Sequence, residues 1–248
     1  MSALARLTLS VALLAAPAVA NAQRSALPRR VLFIGNSYTY VNDLPRMVGA
    51  LADSAGVELQ IDWVTAPGAS LEDHWNEGTA RRRIAEGGWD VVVLQQGPSS
   101  QPEGRRVLRE FVGRFAVLIR RAGGRPALYM VWPSRGRQQD TTGVRESYTA
   151  AAEAVDGLLF PASEAWRAAW RRDSTLAFYS SDDLHPTLLG SYLTALVMVG
   201  QLLGRTPVGL PSRIAGGGED GIVLEVPSSV AGVVQQAAAE ANARYGRR

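Results

Sequence analysis

Residues 31–40 read VLFIGNSYTY: four consecutive apolar side chains, then a glycine, an asparagine and a serine. A run that is apolar on both faces suits a strand covered on both sides, and Gly35 permits a sharp exit from it. Ser37 is thereby left just beyond the carboxyl end of a strand, the edge at which open α/β sheets bind ligands. Asn36 and Ser37 also have a plainer use, because either side chain can cap the following helix by accepting from its free backbone N–H groups.

Working outward, the same grammar repeats. DLPRMVGALADSAG (43–56) has helical apolar spacing and a glycine stop, and VELQIDWVT (57–65) alternates like a strand, so the first three elements form a β-α-β unit. WDVVVLQ (89–95) is a short buried strand, EGRRVLREFVGRFAVLIRRAGG (103–124) a long amphipathic helix ended by paired glycines, and RPALYMVW (125–132) another strand. A helix over 142–154 precedes a weaker strand, GLLFPA (157–162). Strands alternating with helices in this way imply a three-layer α/β/α sandwich around a five-stranded parallel sheet with right-handed crossovers. Thr187–Gly204 is apolar but interrupted by Ser191, Tyr192, Thr194 and Gln201, which reads as a buried core helix and not a membrane span. IAGGGEDG (214–221) reads as a flexible loop, and PSSVAGVVQQAAAEANARYG (227–246) as a closing helix.

Composition narrows the function classes. The chain has 248 residues, 46% of them hydrophobic, enough for one sizeable core. Residues 1–22 carry Arg6, an apolar run and Ala20-Asn21-Ala22, the pattern of a cleavable signal peptide. The expectation is therefore a signal peptide over 1–22, a single domain over 23–248, export to the periplasm or the extracellular space, and no stable membrane span after cleavage. The absence of cysteine excludes disulfides, zinc–thiolate sites and cysteine nucleophiles. A formal charge of +3 and arginine runs interleaved with acidic and apolar residues describe solvated helix faces, with no indication of nucleic-acid binding. Neither a Gly-x-Gly-x-x-Gly nor a Walker-type glycine loop follows the first strand, which disfavours a nucleotide-binding domain.

Only two histidines exist, His74 and His185, so a histidine base has two candidates. His185 lies in SSDDLHPTLLGSY (180–192), three residues after Asp182 and directly before Pro186, a residue suited to opening a helix. A short Asp-x-x-His loop can set a carboxylate against one ring nitrogen while the other faces a nucleophile, the arrangement that fixes the tautomer and stabilises the imidazolium formed when a serine is deprotonated. His74, in APGASLEDHW (66–75), is the rival base or a polar wall of the same pocket.

Gly-Asn-Ser-Tyr-Thr after the first strand, Gly68 after the second, the polar cluster LQQGPSSQ (94–101) after the third and Asp-x-x-His before the last core helices together resemble the SGNH (GDSL-type) hydrolase superfamily. The resemblance runs from Val31 to about Gly204 and is similar to a branch of exported hydrolases related to carbohydrate O-acetylesterases. It implies a flavodoxin-like fold, Ser37 as nucleophile, His185 as base and Asp182 as its orienter. It also implies an oxyanion hole from the N–H groups of Ser37 and Gly68. The third block departs from the superfamily's Gly-x-Asn-Asp: Gln95 stands in the donor position, with Gln96, Ser99 and Ser100 as alternatives. Asn36, His74, Gln96 and Trp132 are candidates for binding substrate. Trp75 and Trp166 join Trp132 as aromatic faces that suit a sugar ring or, equally, core packing.

The expected activity is that of a secreted serine esterase removing a small acyl group, acetyl in the first instance, from a carbohydrate or similar small-molecule ester. No metal or organic cofactor is required. The alternative is a non-catalytic carbohydrate-binding or cell-envelope protein on the same fold, supported by the altered third block.

Overall fold

The computed structural model describes residue 27 and residues 29–215 and 223–246. The expected signal peptide (1–22) lies outside the described residues, as does 216–221 of the expected glycine-rich loop. The central sheet has five strands, β1 (Arg30–Gly35), β2 (Gln60–Thr65), β3 (Val91–Leu94), β4 (Arg125–Tyr129) and β5 (Leu158–Phe160). Every neighbouring pair is parallel, in the order β2-β1-β3-β4-β5. This is the expected flavodoxin-like arrangement, whose strand order reverses between β1 and β3 and opens a crevice there. The side chains of Val31, Leu32, Phe33 and Ile34 are fully buried, as an apolar run in a strand covered on both faces requires.

Nine helices accompany the sheet among the described residues: α1 (Ser37–Tyr40), α2 (Leu44–Ser54), α3 (Leu71–Glu77), α4 (Thr79–Ala85), α5 (Pro102–Arg121), α6 (Thr141–Ala154), α7 (Ala162–Arg172), α8 (Leu188–Leu203) and α9 (Ser228–Tyr245). Their contacts divide them into two layers. α3 to α6 pack among themselves, and α8 packs with α2, α7 and α9. α5 buries Val107, Leu108, Phe111, Val112, Phe115 and Ile119 on one stripe, the face its 3.6-residue periodicity sets. α8 is buried along nearly its whole length, Ser191, Thr194 and Gln201 included. No helix of the described residues is long and apolar enough to cross a membrane.

The elements that sequence periodicity does not announce are short or masked by composition. α3 and α4 have seven residues each and are separated by Gly78, in the left-handed region at φ 92°, so neither offers a full amphipathic window. α7 follows β5 almost without a linker. A small antiparallel pair, β6 (Arg213–Ala215) and β7 (Val223–Glu225), flanks the glycine-rich segment. The first strand of that pair takes up the Ile-Ala that read as the start of the loop.

Candidate active site

Three loops carry the residues that chemistry would need, and all three leave the carboxyl ends of the parallel strands or enter α8. The first is the turn after β1. Asn36 caps α1 in an extended conformation, its Oδ1 accepting from the Tyr38 N–H at 3.2 Å. Ser37 therefore opens a single helical turn, partly exposed, while Tyr38 and Thr39 are buried. Among the described residues no group takes the Ser37 hydroxyl or its N–H. The same is true of the N–H of Gly68, which lies exposed in the turn after β2 at φ 66°.

The second loop holds His185. Asp182 accepts at Oδ1 from the Ser180 hydroxyl (2.7 Å) and from the N–H groups of Leu184 (3.0 Å) and His185 (2.9 Å). Its Oδ2 meets His185 Nδ1 at 2.5 Å. The His185 ring bond first, then the Ser180 hydroxyl and the two backbone donors, hold the Asp182 carboxyl far below the usual carboxylate range. An ionised carboxylate on Nδ1 selects the tautomer that keeps its proton there, leaving Nε2 with its lone pair. Nε2 is covered from solvent and has no hydrogen-bond partner among the described residues. The ring of Tyr38, next in sequence to Ser37, lies 6.2 Å from the His185 ring, centroid to centroid.

The loop itself is clamped. Trp132 Nε1 donates to the Leu184 carbonyl at 3.1 Å, the Arg135 N–H donates to the Asp183 carbonyl at 2.9 Å, and Arg135 Nε pairs with Asp183 at 2.6 Å. Asn42 reaches across from the end of α1, donating from Nδ2 to the Pro186 carbonyl at 2.9 Å and to Ser191 Oγ at 3.0 Å. Asn42 and Asp43 are consecutive non-glycine residues in the left-handed region, at φ 57° and 53°, a conformation that costs free energy and persists where its surroundings hold it. No sequence motif pointed to Asn42.

The third loop follows β3, and it corrects the sequence reading. Gln95 is completely buried. Its Oε1 accepts from the Asn36 N–H and from Thr39 Oγ1, both at 2.8 Å, and its Nε2 donates to Asn36 Oδ1 and to the Gln96 carbonyl, both at 2.9 Å. Both amide hydrogens are used, so the side chain props the Ser37 turn and offers nothing to an oxyanion. Gly35 is needed for this approach, since a Cβ there would sit 2.3 Å from Gln95 Oε1 and 2.5 Å from Thr39 Oγ1.

The other expected pocket walls are also interior. Gln96 accepts from the Leu71 N–H and donates to Ser99 Oγ and the Gly104 carbonyl, which shapes its own loop. His74 is 3% exposed and bonded through Nε2 to the Gly35 carbonyl at 2.8 Å; it fastens α3 to the end of β1. Trp132 is 2% exposed and stacked on Trp166 at 3.6 Å, and Trp75 packs edge-on against Phe115. Asn36 is buried, its Nδ2 donating to the Ala69 carbonyl. Asn36, His74, Gln96 and Trp132 are thus interior, whereas Trp75, packed on one edge, keeps part of its surface open. Among the described residues no three His, Asp or Glu side chains group as a metal site.

No protein-family model matches the chain, and neither does any curated protein sequence. Solved structures do. A candidate SGNH hydrolase from Slackia heliotrinireducens is 27% identical over 70% of this chain and 98% of its own, with a TM-score of 0.60. A DUF4886 family protein from Bacteroides uniformis, 19% identical, covers 87% of this chain and 95% of its own at a TM-score of 0.71. A variant of an acetyl xylan esterase from Geobacillus stearothermophilus is 16% identical over 70% of this chain and 94% of its own, at a TM-score of 0.53. The chain has the fold of the SGNH (GDSL-type) hydrolase superfamily, as its motifs suggested.

Two outcomes follow from this geometry. Gln95→Ala strands the Asn36 N–H and the Thr39 hydroxyl in the interior, so urea unfolding should show a stability loss of at least about 1–3 kcal/mol. An unchanged unfolding midpoint would show that the amide network is dispensable. For Asp182, the folded pKa lies below the unfolded value of about 3.9, so its contribution to stability is fully present above that pH and disappears as pH falls through the folded value. The stability gap between wild type and Asp182→Asn should thus narrow as pH falls below about 4. A gap that stayed unchanged down to about pH 2 would mean the carboxylate is not held as described.

Proposed function

We propose that this protein is a serine ester hydrolase with Ser37 as nucleophile, His185 as general base and acid, and Asp182 as the residue that orients His185. The observation that carries the reading is His185 itself: one nitrogen is locked on a carboxylate at 2.5 Å while the other is covered, unpaired and beside the Ser37 turn. In the first half-reaction the Ser37 oxygen bonds to the ester carbonyl carbon, its proton passes to His185 Nε2, and the same proton goes to the departing alcohol oxygen as the carbon–oxygen bond breaks. Water repeats the sequence to release the acid. The N–H groups of Ser37 and Gly68, which have no other use in the fold, receive the negative charge that builds on the carbonyl oxygen.

The acyl group in this reading is small, acetyl first, and the alcohol is a carbohydrate. Two similarly folded proteins are acetyl xylan esterases by description, which supports this choice of ester. Export rests on the composition of residues 1–22. A second reading, a carbohydrate-binding protein without turnover, is favoured by one observation: the third-block amide that would donate to the oxyanion is fully committed elsewhere.

Turnover separates the two readings. Wild-type protein should hydrolyse 4-nitrophenyl acetate, and Ser37→Ala and His185→Ala should each lower kcat by at least about 10³-fold without loss of fold. Full activity in Ser37→Ala would dismiss the assignment, and a wild type without turnover that still binds sugars would favour the second reading.

A further inference from the structure

A cavity of about 230 Å³ adjoins the site and has no part in the acyl chemistry above. Its walls include Tyr38 and Leu184, the immediate neighbours of Ser37 and His185. Pro98 and Pro133 supply further apolar surface, while Ser100, Arg137 and Asp140 supply the polar side. The third-block loop and the helical turn Arg135–Asp140 thus meet across one small space. Asp140 is the centre of the polar side. It accepts from Ser100 Oγ at 3.2 Å and pairs with Arg137 Nη2 at 2.5 Å, and its side chain keeps 15% of its surface open.

The chemistry of the lining selects the ligand. A carboxylate has about four acceptor positions and a guanidinium five donor hydrogens, so both groups retain capacity after pairing with each other. An alkyl chain placed there would cover the open edge of the Asp140 carboxylate and return no hydrogen bond, an unfavourable exchange. An anion would meet the Asp140 carboxylate, and the Arg137 charge that could attract it is already neutralised. A neutral polyol suits both: vicinal hydroxyls donate to Asp140 and accept from Arg137, while the ring's C–H face lies on proline and tyrosine. The volume is below the roughly 300–1,000 Å³ of sites for drug-sized ligands and enough for one ring.

Resting on the hydrolase reading above, we infer that this cavity is the alcohol-side subsite, in which Asp140 and Arg137 read the hydroxyls of a single neutral sugar ring whose ester lies at Ser37. The motif block that departs from the superfamily pattern then has a use: Pro98 and Ser100 shape a sugar site in place of an oxyanion donor.

The test compares two leaving groups on the same enzyme. Wild type, Asp140→Asn and Arg137→Gln are assayed with 4-nitrophenyl acetate and with mono-O-acetylated methyl xyloside and methyl glucoside, after confirming by thermal melting that each variant is folded. Arg137 is 54% exposed on its side chain, so its variant remains informative should Asp140→Asn fail to fold. In each folded variant kcat/KM for the glycoside esters should fall about 10–100-fold relative to that for 4-nitrophenyl acetate, chiefly through KM, the effect of losing one hydrogen bond to a charged group. Equal losses on both substrate types, an unchanged ratio, or a wild type that cleaves the nitrophenyl ester and neither glycoside ester would overturn the subsite. If wild type cleaves no ester at all, the hydrolase reading fails on its own account, and saturation-transfer NMR with methyl xyloside and methyl glucoside decides the subsite. Binding that is lost in Asp140→Asn or Arg137→Gln sustains it, and absent or unaltered binding overturns it.

Discussion

The side-chain amide of Gln95 is enclosed on all sides and yet has every hydrogen-bonding position filled: two donors, from Asn36 and Thr39, on its oxygen, and two acceptors, on Asn36 and Gln96, for its nitrogen. In a low-dielectric interior such a network is strong when complete and costly when broken. It therefore dictates the path of the chain after β1. Asn36 cannot move without stranding Gln95, and with Asn36 fixed as the cap of α1, Ser37 opens the helix with a hydroxyl and an N–H that have no partner among the described residues. The requirement for glycine at position 35 belongs to the same constraint, because the amide occupies the space a side chain would take.

A second set of contacts fixes the partner loop against the first. Leu184, His185 and Pro186 are tied by Trp132, Asp182 and Asn42, respectively, through hydrogen bonds between 2.5 and 3.1 Å. Trp132 leaves the end of β4, and its ring is stacked in the core on Trp166, so the loop carrying the imidazole inherits the rigidity of the sheet. Asn42 adds a direct tie from the end of α1 to the start of α8. The two halves of the site are thus positioned by buried or strand-anchored groups.

Much of this was legible in the sequence, for physical reasons. Apolar runs in β1 and β3 and the stripe on α5 encode burial directly, and the alternation of strands and helices leaves few parallel topologies. Asp182 and His185 were legible because their pairing is local: a three-residue loop brings the carboxylate to the ring. The glutamines were not. A strand-end glutamine reads equally as a substrate-facing donor or as a prop, and only the fold reveals that Asn36, fifty-nine positions earlier, claims the Gln95 amide. His74 was misleading for the same reason, since its partner is a backbone carbonyl on β1 that no side-chain motif marks. Asn42, Arg137 and Asp140 carry no local signature, as their partners or shared cavity come from distant loops.

Whether Ser37 is the nucleophile that His185 activates is read most directly by chemical labelling. The protein is treated at neutral pH with a fluorophosphonate, which bonds covalently to an activated serine oxygen, and the product is digested and mapped by mass spectrometry. One adduct per chain is expected, located on Ser37, formed by wild type and abolished in His185→Ala. An adduct on another serine, or labelling of Ser37 that is equally fast without the imidazole, would contradict it.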